Sequence, residues 1–207
     1  MDQISPGARR RHALATLRNR DAILDVLERV LPPEGLILEI ASGSGEHAEY
    51  MAPRLAPRRW QPTDIDPEAL ASIAGYRSFA GNSRSFLPPL ALDVTAAHWP
   101  LAAADAVVAI NLVHIAPWTA AAGLIAGAAR VLPDEGVLYL YGPFKRSGRH
   151  TAPSNEQFDA ALQAEDPSWG VRDLGDIIGE AGQHDLALSE VVEMPANNLS
   201  VVFTKIG

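Results

Sequence analysis

Short apolar segments alternate with helix-forming segments along most of this 207-residue chain. The segments with strand character are 36–40, 60–63, 90–94, 105–112 and 137–141. The segments with helical character are 9–30, 46–55, 67–75, 117–130, 154–164 and 173–181. Strands that alternate with helices typically form a mostly parallel sheet covered by helices. The pattern therefore predicts a doubly wound α/β fold.

The last two predicted strands, 186–193 and 199–205, follow each other with no helix between them. Only residues 194–198 connect them. A parallel crossover needs a dozen or more residues, whereas a short turn suffices for an antiparallel pair. We therefore expect the sheet to end in a C-terminal antiparallel hairpin.

Three of the predicted helices begin with informative residues. Asp-Pro-Glu at 66–68 combines an N-cap residue with proline at the first helical position. Ser-Asn-Glu-Gln at 154–157 has the spacing of a capping box. The three arginines at 9–11 instead place positive charge at the start of the first helix, where it opposes the helix dipole. We expect that end either to fray or to contact an anion.

Composition excludes several functional classes. The chain has 17 Lys and Arg against 25 Asp and Glu, which gives a net charge of −8. Proteins that bind duplex nucleic acid usually carry a strong basic surface, so a nucleic-acid partner is disfavoured, although a local patch can still bind tRNA or protein. No apolar run approaches the roughly 20 residues of a membrane span, and no signal peptide is evident. We expect a cytoplasmic protein.

Metal and thiol chemistry are also disfavoured. The chain contains no cysteine, which excludes thiolate zinc sites, iron–sulfur clusters and a cysteine nucleophile. Its six histidines show no short ligand spacing such as H-x-x-x-H. The sequence therefore predicts no metal site.

Glycines occur in the turn after the first predicted strand, which reads Ala-Ser-Gly-Ser-Gly at 41–45. In open α/β sheets, ligands bind beyond the carboxyl ends of the strands, and glycines there let the backbone approach a ligand closely. Asp64 lies 19 residues after Gly45. An acid at about 20 residues suits the hydroxyls of a ribose. This arrangement predicts a cofactor that contains a nucleoside.

Two kinds of cofactor fit this pattern. Residues 43–48 match the dinucleotide fingerprint G-x-G-x-x-G/A, which favours a nicotinamide-dependent oxidoreductase. Glu39 and Glu46, however, would oppose a pyrophosphate, and Asp93 suits an adenine amino group. S-adenosylmethionine (SAM) contains an amino acid, a ribose and an adenine without phosphate, so the acids favour it. A non-catalytic module that binds SAM is a further alternative.

The loop Glu39-x-Ala41-x-Gly43-x-Gly45 resembles the E/D-x-G-x-G-x-G loop of class I SAM-dependent methyltransferases, with Ala41 in the first glycine place. Other stretches resemble the methyltransferase-like-26 proteins and their bacterial relatives, a family long described as a domain of unknown function. These stretches are 38–47, 60–64, 90–94, 139–144, 150–155, 169–170 and 194–199. Arg18-Asn19 resembles the family's Arg-Asn pair. The run of small residues with a proline that precedes this pair in the family is not preserved here, where residues 13–16 read Ala-Leu-Ala-Thr.

This resemblance implies a single SAM-dependent methyltransferase domain over residues 1–207. Within it, residues 1–30 form an N-terminal helical lid and residues 36–207 form the catalytic core. The implied fold is a seven-stranded, Rossmann-like methyltransferase sheet, and the implied cofactor is SAM. The resemblance does not identify the methyl acceptor. A small molecule fits the absence of an added domain or a basic groove, and the acidic charge argues against tRNA.

The resemblance also implies which residues bind the cofactor. The set is Glu39, Ala41, Ser42, Gly43, Gly45, Asp64, Ile65, Asp93, Val94 and Asn111. Residues 39–45 form the loop on the methionine side, and Asp64 holds the ribose. Asp93 and Val94 flank the adenine, while Asn111 closes over the cofactor.

The acceptor site is predicted around the mouth of the cofactor site. Its substrate-binding candidates are Arg18, Asn19, Trp118, Tyr141, Phe144, His150, Asn155, Trp169, Arg172 and Asn197. The aromatic members either enclose a flat or cationic acceptor or belong to the core. The catalytic candidates are His114 and Asn198. A histidine titrates near neutral pH, so His114 is a possible base and His150 a rival, although methyl transfer can proceed by alignment alone.

Overall fold

The structure is a computed structural model that describes residues 10–81 and 83–207, except for the side chains of Leu14 and Ala15. The strands are β1 (Leu36–Ile40), β2 (Arg59–Asp64), β3 (Leu90–Ala91), β4 (Ala106–Ile110), β5 (Val137–Gly142), β6 (Lys145–Arg146), β7 (Arg149–His150), β8 (Leu186–Met194) and β9 (Asn198–Lys205). The helices are α1 (Leu14–Val30), α2 (Glu46–Arg54), α3 (Pro67–Phe79), α4 (Trp118–Val131), α5 (Pro153–Glu165) and α6 (Leu174–Gly182). None of these helices is both long and apolar enough to cross a membrane.

Seven strands form one sheet in the order β3-β2-β1-β4-β5-β9-β8. The first five strands in this order run parallel to one another. Strand β9 runs antiparallel to both β5 and β8. The predicted doubly wound α/β fold with a C-terminal antiparallel hairpin is therefore confirmed. Because the strand order reverses at β1, the carboxyl ends of β1 and β4 mark the point where such folds bind ligands.

Apolar side chains cover both faces of this sheet. Successive residues of a strand point to opposite faces, and in β1 Ile37 and Leu38 belong to different core clusters. The cluster with Leu38 includes side chains of α4 and α6. The cluster with Ile37 includes side chains of α1, α2 and α3. The helices therefore cover both faces and leave the strand ends accessible.

Helix α1 begins at Leu14, so the prediction of a helix from residue 9 was wrong for residues 10–13, and residues 1–9 of the predicted lid lie outside the described residues. The backbone N–H of Arg11 instead donates to the hydroxyl of Ser72 at 2.8 Å. The Arg11 guanidinium contacts Asp66 at 2.9 Å and Glu68 at 2.6 Å. The positive charge before α1 thus contacts carboxylates of another helix.

Helix α5 begins at Pro153, one residue before the predicted start, and its N-cap residue Ala152 makes no side-chain cap. The predicted capping box at 154–157 is therefore wrong. Proline suits the first helical position because its fixed φ is helical and its missing N–H would be unpaired there. The cap predicted for α3 is confirmed, since the Asp66 side chain accepts a hydrogen bond from the Glu68 N–H at 2.9 Å.

Strand β3 is shorter than the predicted strand 90–94. The chain leaves the sheet after Ala91, and Asp93 closes a turn with Thr95. The small antiparallel hairpin of β6 and β7 was not predicted from the sequence. Its strands have only two residues each, too few for a recognisable alternation.

Candidate functional site

The loop between β1 and α2, residues 41–45, turns through three left-handed residues. Ala41, Gly43 and Gly45 have φ values of 54°, 56° and 91°. A Cβ atom on Gly45 would lie 2.8 Å from the Cα atom of Ile73, so this position requires glycine. A Cβ atom on Gly43 would meet no atom of the described residues within 4 Å. The loop therefore packs tightly at one glycine and faces open space at the other.

Asp64, the last residue of β2, holds this loop in place. Its Oδ2 accepts a hydrogen bond from the Gly43 N–H at 2.9 Å, and its Oδ1 accepts one from the Asp66 N–H at 2.9 Å. A carboxylate offers about four lone-pair positions, so each oxygen retains one acceptor position. Asp64 is 7% exposed, whereas the neighbouring Ile65 is 66% exposed. An apolar surface thus lies next to a largely buried acid.

Glu39 is buried near the end of β1. Its Oε2 accepts hydrogen bonds from the Ser42 hydroxyl at 2.7 Å and from the Trp60 indole N–H at 2.9 Å. Burial raises the pKa of Glu39 to about 6, although these two hydrogen bonds lower it, and the nearby charge of Asp64 contributes to the rise. Within the described residues, Oε1 accepts no hydrogen bond, so one acceptor position of a buried acid is unused.

Asp93 and Asn111 follow β3 and β4. The exposed Asp93 accepts hydrogen bonds from the hydroxyl and N–H of Thr95 at 2.7 and 2.8 Å, and these bonds lower its pKa. Val94 packs partly against the core. Asn111 has a φ of 63°, and its N–H donates to the carbonyl of Tyr141 at 2.8 Å. Asn111 therefore joins the carboxyl ends of β4 and β5.

A cavity of about 480 Å³ lies at these strand ends. Its wall comes from α1, from the ends of β4 and β5, from α5 and from the turn between β8 and β9. The lining residues are Arg18, Asn19, Asn111, Tyr141, Pro143, Ser154, Asn155, Phe158, Pro195, Ala196, Asn197 and Asn198. Five separate parts of the chain thus bring together seven of the predicted site residues, namely Arg18, Asn19, Asn111, Tyr141, Asn155, Asn197 and Asn198.

Hydrogen bonding fixes the orientation of Asn19 in this wall. Its Oδ1 lies 2.9 Å from Nε2 of His47. Because an amide oxygen only accepts, Nε2 carries the proton, and burial lowers the pKa of His47 to about 4, which keeps the ring neutral. The NH₂ group of Asn19 is left for other partners. It lies by the hydroxyl of Tyr141, whose pKa is raised by burial while Asn19 and Asn198 oppose the rise.

The asparagines on the other side of the cavity have the opposite orientation. The NH₂ group of Asn155 donates to the carbonyl of Asn197 at 2.9 Å, and that of Asn198 donates to the carbonyl of Pro195 at 3.1 Å. The NH₂ group of Asn197 donates to the Ser154 hydroxyl at 3.3 Å. Their amide oxygens are therefore the groups left to accept hydrogen bonds from a ligand.

His114 lies outside this wall and is fully buried. Its Nδ1 accepts a hydrogen bond from the Arg172 N–H at 3.2 Å, and its ring packs edge-on against Phe144 with centroids 4.7 Å apart. Burial lowers the pKa of His114 to about 3. Since Nδ1 is already an acceptor and Nε2 carries the proton, no lone pair is free. The predicted role of His114 as a base does not fit this geometry.

Arg172, Trp118 and Trp169 also lie outside the cavity wall. The guanidinium of Arg172 donates to the carbonyls of Val113 at 3.0 Å and Ala116 at 2.7 Å. Trp118 packs partly against the core at the start of α4. In place of the predicted substrate contacts, Arg172 holds the segment after β4 in position.

His150 belongs to a cluster of charged residues beneath α5. Its Nε2 lies 3.1 Å from Oδ2 of Asp159, and the Lys145 ammonium lies 2.7 Å from the same oxygen. The other oxygen of Asp159 accepts from the Val171 N–H at 2.7 Å. This cluster joins the β6–β7 hairpin to α5. His150 therefore supports the wall and does not line it.

Six residues of the site were not predicted from the sequence. His47 orients Asn19, and Pro143, Ser154, Phe158, Pro195 and Ala196 line the cavity. All except Phe158 lie in stretches that carry the family resemblance, so those stretches held the signal. Phe158 lies outside these stretches, and no sequence pattern indicates its position in the cavity wall.

Comparisons with known proteins agree with this architecture. A family described as "Protein of unknown function (DUF938)" matches residues 10–205. An O-methyltransferase family 2 protein from Planctomyces limnophilus, solved with apigenin, has a TM-score of 0.78 and 22% identity over 93% of this chain and 58% of that chain. For the SAM-dependent methyltransferase SibL, the TM-score is 0.74, the identity 16%, and the coverage 93% and 56%.

A third solved structure matches over nearly its whole length. The YcgJ protein from Bacillus subtilis has a TM-score of 0.71 and 13% identity, over 92% of this chain and 99% of that one. This chain spans just over half of the two methyltransferases above. These likenesses confirm a Rossmann-like methyltransferase fold. With the family match covering residues 10–205, the chain belongs to the DUF938 family of proteins of unknown function.

Proposed function

We propose that this protein is a SAM-dependent methyltransferase that transfers the methyl group to a small-molecule acceptor. The observation that carries the proposal is a left-handed loop, tied to Asp64, at the same sheet edge as a polar cavity of about 480 Å³. The loop with Asp64 suits a nucleoside, and the cavity suits a small molecule. The fold shared with proteins named as methyltransferases supports the same reaction.

The residues around the loop fit SAM. The space over Gly43 is open, Asp64 retains an acceptor position on each oxygen, and the exposed Ile65 offers an apolar surface. Asp64 would accept hydrogen bonds from the ribose, and Ile65 would cover the adenine. The unused oxygen of Glu39 would accept from the amino group of the methionine part.

The same residues fit a dinucleotide poorly. A pyrophosphate binds at a helix N-terminus, but α2 begins with Glu46. Although burial raises the pKa of Glu46, hydrogen bonds from Ala13 and His12 leave it lowered overall, so the group is charged. A negative charge in this position repels phosphate. The match of residues 43–48 to the dinucleotide fingerprint therefore does not favour a nicotinamide-dependent oxidoreductase.

The cavity wall would orient the acceptor. SAM supplies an electrophilic methyl group when bound. The Tyr141 hydroxyl hydrogen-bonds Asn19 and Asn198, and these three wall residues together would hold the acceptor. Among the residues that the structure describes, no Asp, Glu or His lines the cavity, and burial raises the pKa of Tyr141, so it stays protonated. We infer that the wall acts by alignment, which alone supplies a large part of a rate enhancement.

We also propose kinship with the methyltransferase-like-26 proteins. The stretches 38–47 and 194–199, which carry that resemblance, contribute to the loop and to the cavity respectively. The net charge of −8 supports a small-molecule acceptor over nucleic acid. A cytoplasmic location and the absence of a membrane partner are further predictions from composition.

The proposal is tested by calorimetric titration of the protein with SAM, S-adenosylhomocysteine and NADH in parallel. We expect both sulfur nucleosides to bind with micromolar dissociation constants, about −8 kcal/mol, and NADH not to bind. Binding of NADH alone would overturn the proposal. Incubation with methyl-labelled SAM and a small-molecule extract then separates an enzyme, which labels a product, from a non-catalytic SAM-binding module, which labels none.

A further inference from the structure

We infer that the methyl acceptor is a small molecule with an oxyanion group, a carboxylate or a phosphate, which Arg18 binds at the cavity. The inference rests on the proposed function, because it names the substrate class of the same site. It follows from the charge of the wall, from the contacts of Arg18 and from the orientation of the donors beside it.

Arg18 is the one charged residue among the twelve described residues that line the cavity. The chain as a whole carries a net charge of −8, so a wall with a cation and no carboxylate differs from the rest of the molecule. A cleft lined by one sign of charge concentrates ligands of the opposite sign. This wall therefore favours an anion over a cation.

Within the described residues, Arg18 makes no ion pair, hydrogen bond or ring contact. Nearby arginines differ, since Arg11 contacts two carboxylates and Arg20 stacks on the ring of Tyr50, 4.3 Å from its centroid. A guanidinium binds carboxylate and phosphate through paired N–H donors. Arg18 thus retains this capacity in full for a ligand.

The groups next to Arg18 are also donors. The Nε2–H of His47 donates to the amide oxygen of Asn19, so the Asn19 NH₂ group lies beside the Tyr141 hydroxyl. An oxyanion accepts several hydrogen bonds, and these donors match it. On the other side, the free amide oxygens of Asn155 and Asn197 match the donor groups of the acceptor. The anionic end of the molecule is therefore assigned to the α1 side.

The test uses probes of matched size, namely benzoate, phenyl phosphate and benzamide. An aromatic ring suits the cavity because Phe158 and Pro143 contribute apolar surface. Each probe is titrated by NMR into the protein saturated with S-adenosylhomocysteine. We expect benzoate or phenyl phosphate to bind about tenfold more tightly than benzamide. The tighter of the two identifies the oxyanion as carboxylate or phosphate.

Two variants test whether Arg18 causes the preference for the anionic probes over benzamide. Arg18→Gln is expected to abolish it, and Arg149→Gln, which removes the same charge from an exposed position on β7, is expected to retain it. The inference is overturned if benzamide binds wild type as tightly as both anions, or if the preference survives in Arg18→Gln. Both side chains are exposed, so neither change threatens the fold.

The two proposals fail in distinguishable ways. Binding of S-adenosylhomocysteine is measured first in each sample, and its absence counts against the proposed function alone. In that case the three probes are titrated into the protein without nucleoside, and the same comparison decides on the oxyanion site. Normal nucleoside binding without an anion preference counts against the substrate class alone.

Discussion

The loop after β1 and the cavity use their polar groups differently. In the loop, the carboxylates of Asp64 and Glu39 accept hydrogen bonds from residues of the loop or of the strand beside it. In the cavity, the guanidinium of Arg18 contacts no acceptor among the described residues, and the NH₂ group of Asn19 hydrogen-bonds the Tyr141 hydroxyl, which also lines the cavity. The loop groups therefore contribute to the folded structure as well as to the SAM binding that we propose.

Because of this difference, we expect substitutions in the loop and in the cavity to affect stability and ligand affinity differently. A substitution in the loop removes or strains internal contacts, so the free energy of unfolding changes together with nucleoside affinity. A substitution of Arg18 removes no internal contact of the described residues, so under the proposed function it changes only which acceptor the cavity binds. We therefore expect acceptor specificity to vary at Arg18 without loss of stability.

The two loop glycines give the largest expected effect. Gly45→Ala combines a left-handed backbone with a Cβ atom 2.8 Å from the Ile73 Cα. We expect the free energy of unfolding to fall by about 3 kcal/mol, since each effect costs roughly 1–2 kcal/mol or more. Urea denaturation measures this loss.

Gly43→Ala is the matched variant, because its backbone is also left-handed but its Cβ atom meets nothing within 4 Å. We expect a loss of only about 1 kcal/mol of stability and a clear loss of SAM affinity, since the methyl group occupies open space beside the loop. Equal losses of stability in the two variants would contradict the packing described for Gly45.

Asp64→Ala tests whether one carboxylate serves both the loop and the ligand. We expect SAM affinity to fall at least tenfold, because a hydrogen bond to a charged group contributes about 1.5–3 kcal/mol. Stability should fall as well, since the Gly43 and Asp66 N–H groups lose their acceptor. Calorimetry and denaturation measure the two effects separately.

Asp64→Asn is the control, because it retains one acceptor oxygen and loses the charge. We expect an intermediate stability and a reduced affinity. Unchanged SAM binding in folded Asp64→Ala protein would refute the assignment of Asp64 to the ribose.

Glu39→Gln gives a smaller, pH-dependent effect. Burial raises the pKa of Glu39 from 4.5 to about 6 in the folded protein. Between these pH values the folded state binds more protons than the unfolded state, so the free energy of unfolding falls as the pH rises. A pKa difference of that size corresponds to about 2 kcal/mol, which is lost above pH 6.

The glutamine keeps an oxygen for the Trp60 and Ser42 donors and does not titrate. Relative to wild type, the variant should therefore gain about 2 kcal/mol of stability between pH 4.5 and pH 7. Its SAM affinity should fall, because the charge that faces the amino group is lost. A stability difference that is constant across this pH range would show that Glu39 does not titrate as described.

The residues of the loop could be predicted from the sequence more completely than those of the cavity, for a physical reason. The loop and Asp64 lie at fixed spacing on consecutive elements, so local pattern alone places them together. The cavity joins Arg18, Tyr141 and Asn197, which only the sheet topology brings close. Those residues were found through the family resemblance and not through spacing.

The residues that sequence reasoning misplaced share a second cause. His114 and Arg172 have side chains suited to catalysis or binding, yet burial and backbone hydrogen bonds occupy them. Residue type does not reveal such partners. Only the packed structure shows that His114 has no free lone pair.

The smallest expected effect comes from two tyrosines on β5. The buried hydroxyl of Tyr139 lies 2.6 Å from the Ser200 hydroxyl, whereas that of Tyr141 lies in the cavity wall. Tyr139→Phe leaves the buried Ser200 hydroxyl without its partner, so we expect a loss of about 1 kcal/mol of stability. Tyr141→Phe should cost less than that, because the hydroxyl that it removes faces the cavity, where water or a ligand can replace it as partner of Asn19 and Asn198.

The free energies of unfolding of both variants are compared by urea denaturation. Titration with S-adenosylhomocysteine is the control. The nucleoside should bind both variants as it binds wild type, because neither hydroxyl belongs to the loop after β1. A loss of stability in Tyr141→Phe equal to that in Tyr139→Phe would mean that Asn19 and Asn198 bind the Tyr141 hydroxyl firmly. In that case the cavity wall would be held by internal hydrogen bonds as the loop is, and the separation of stability from recognition would not hold.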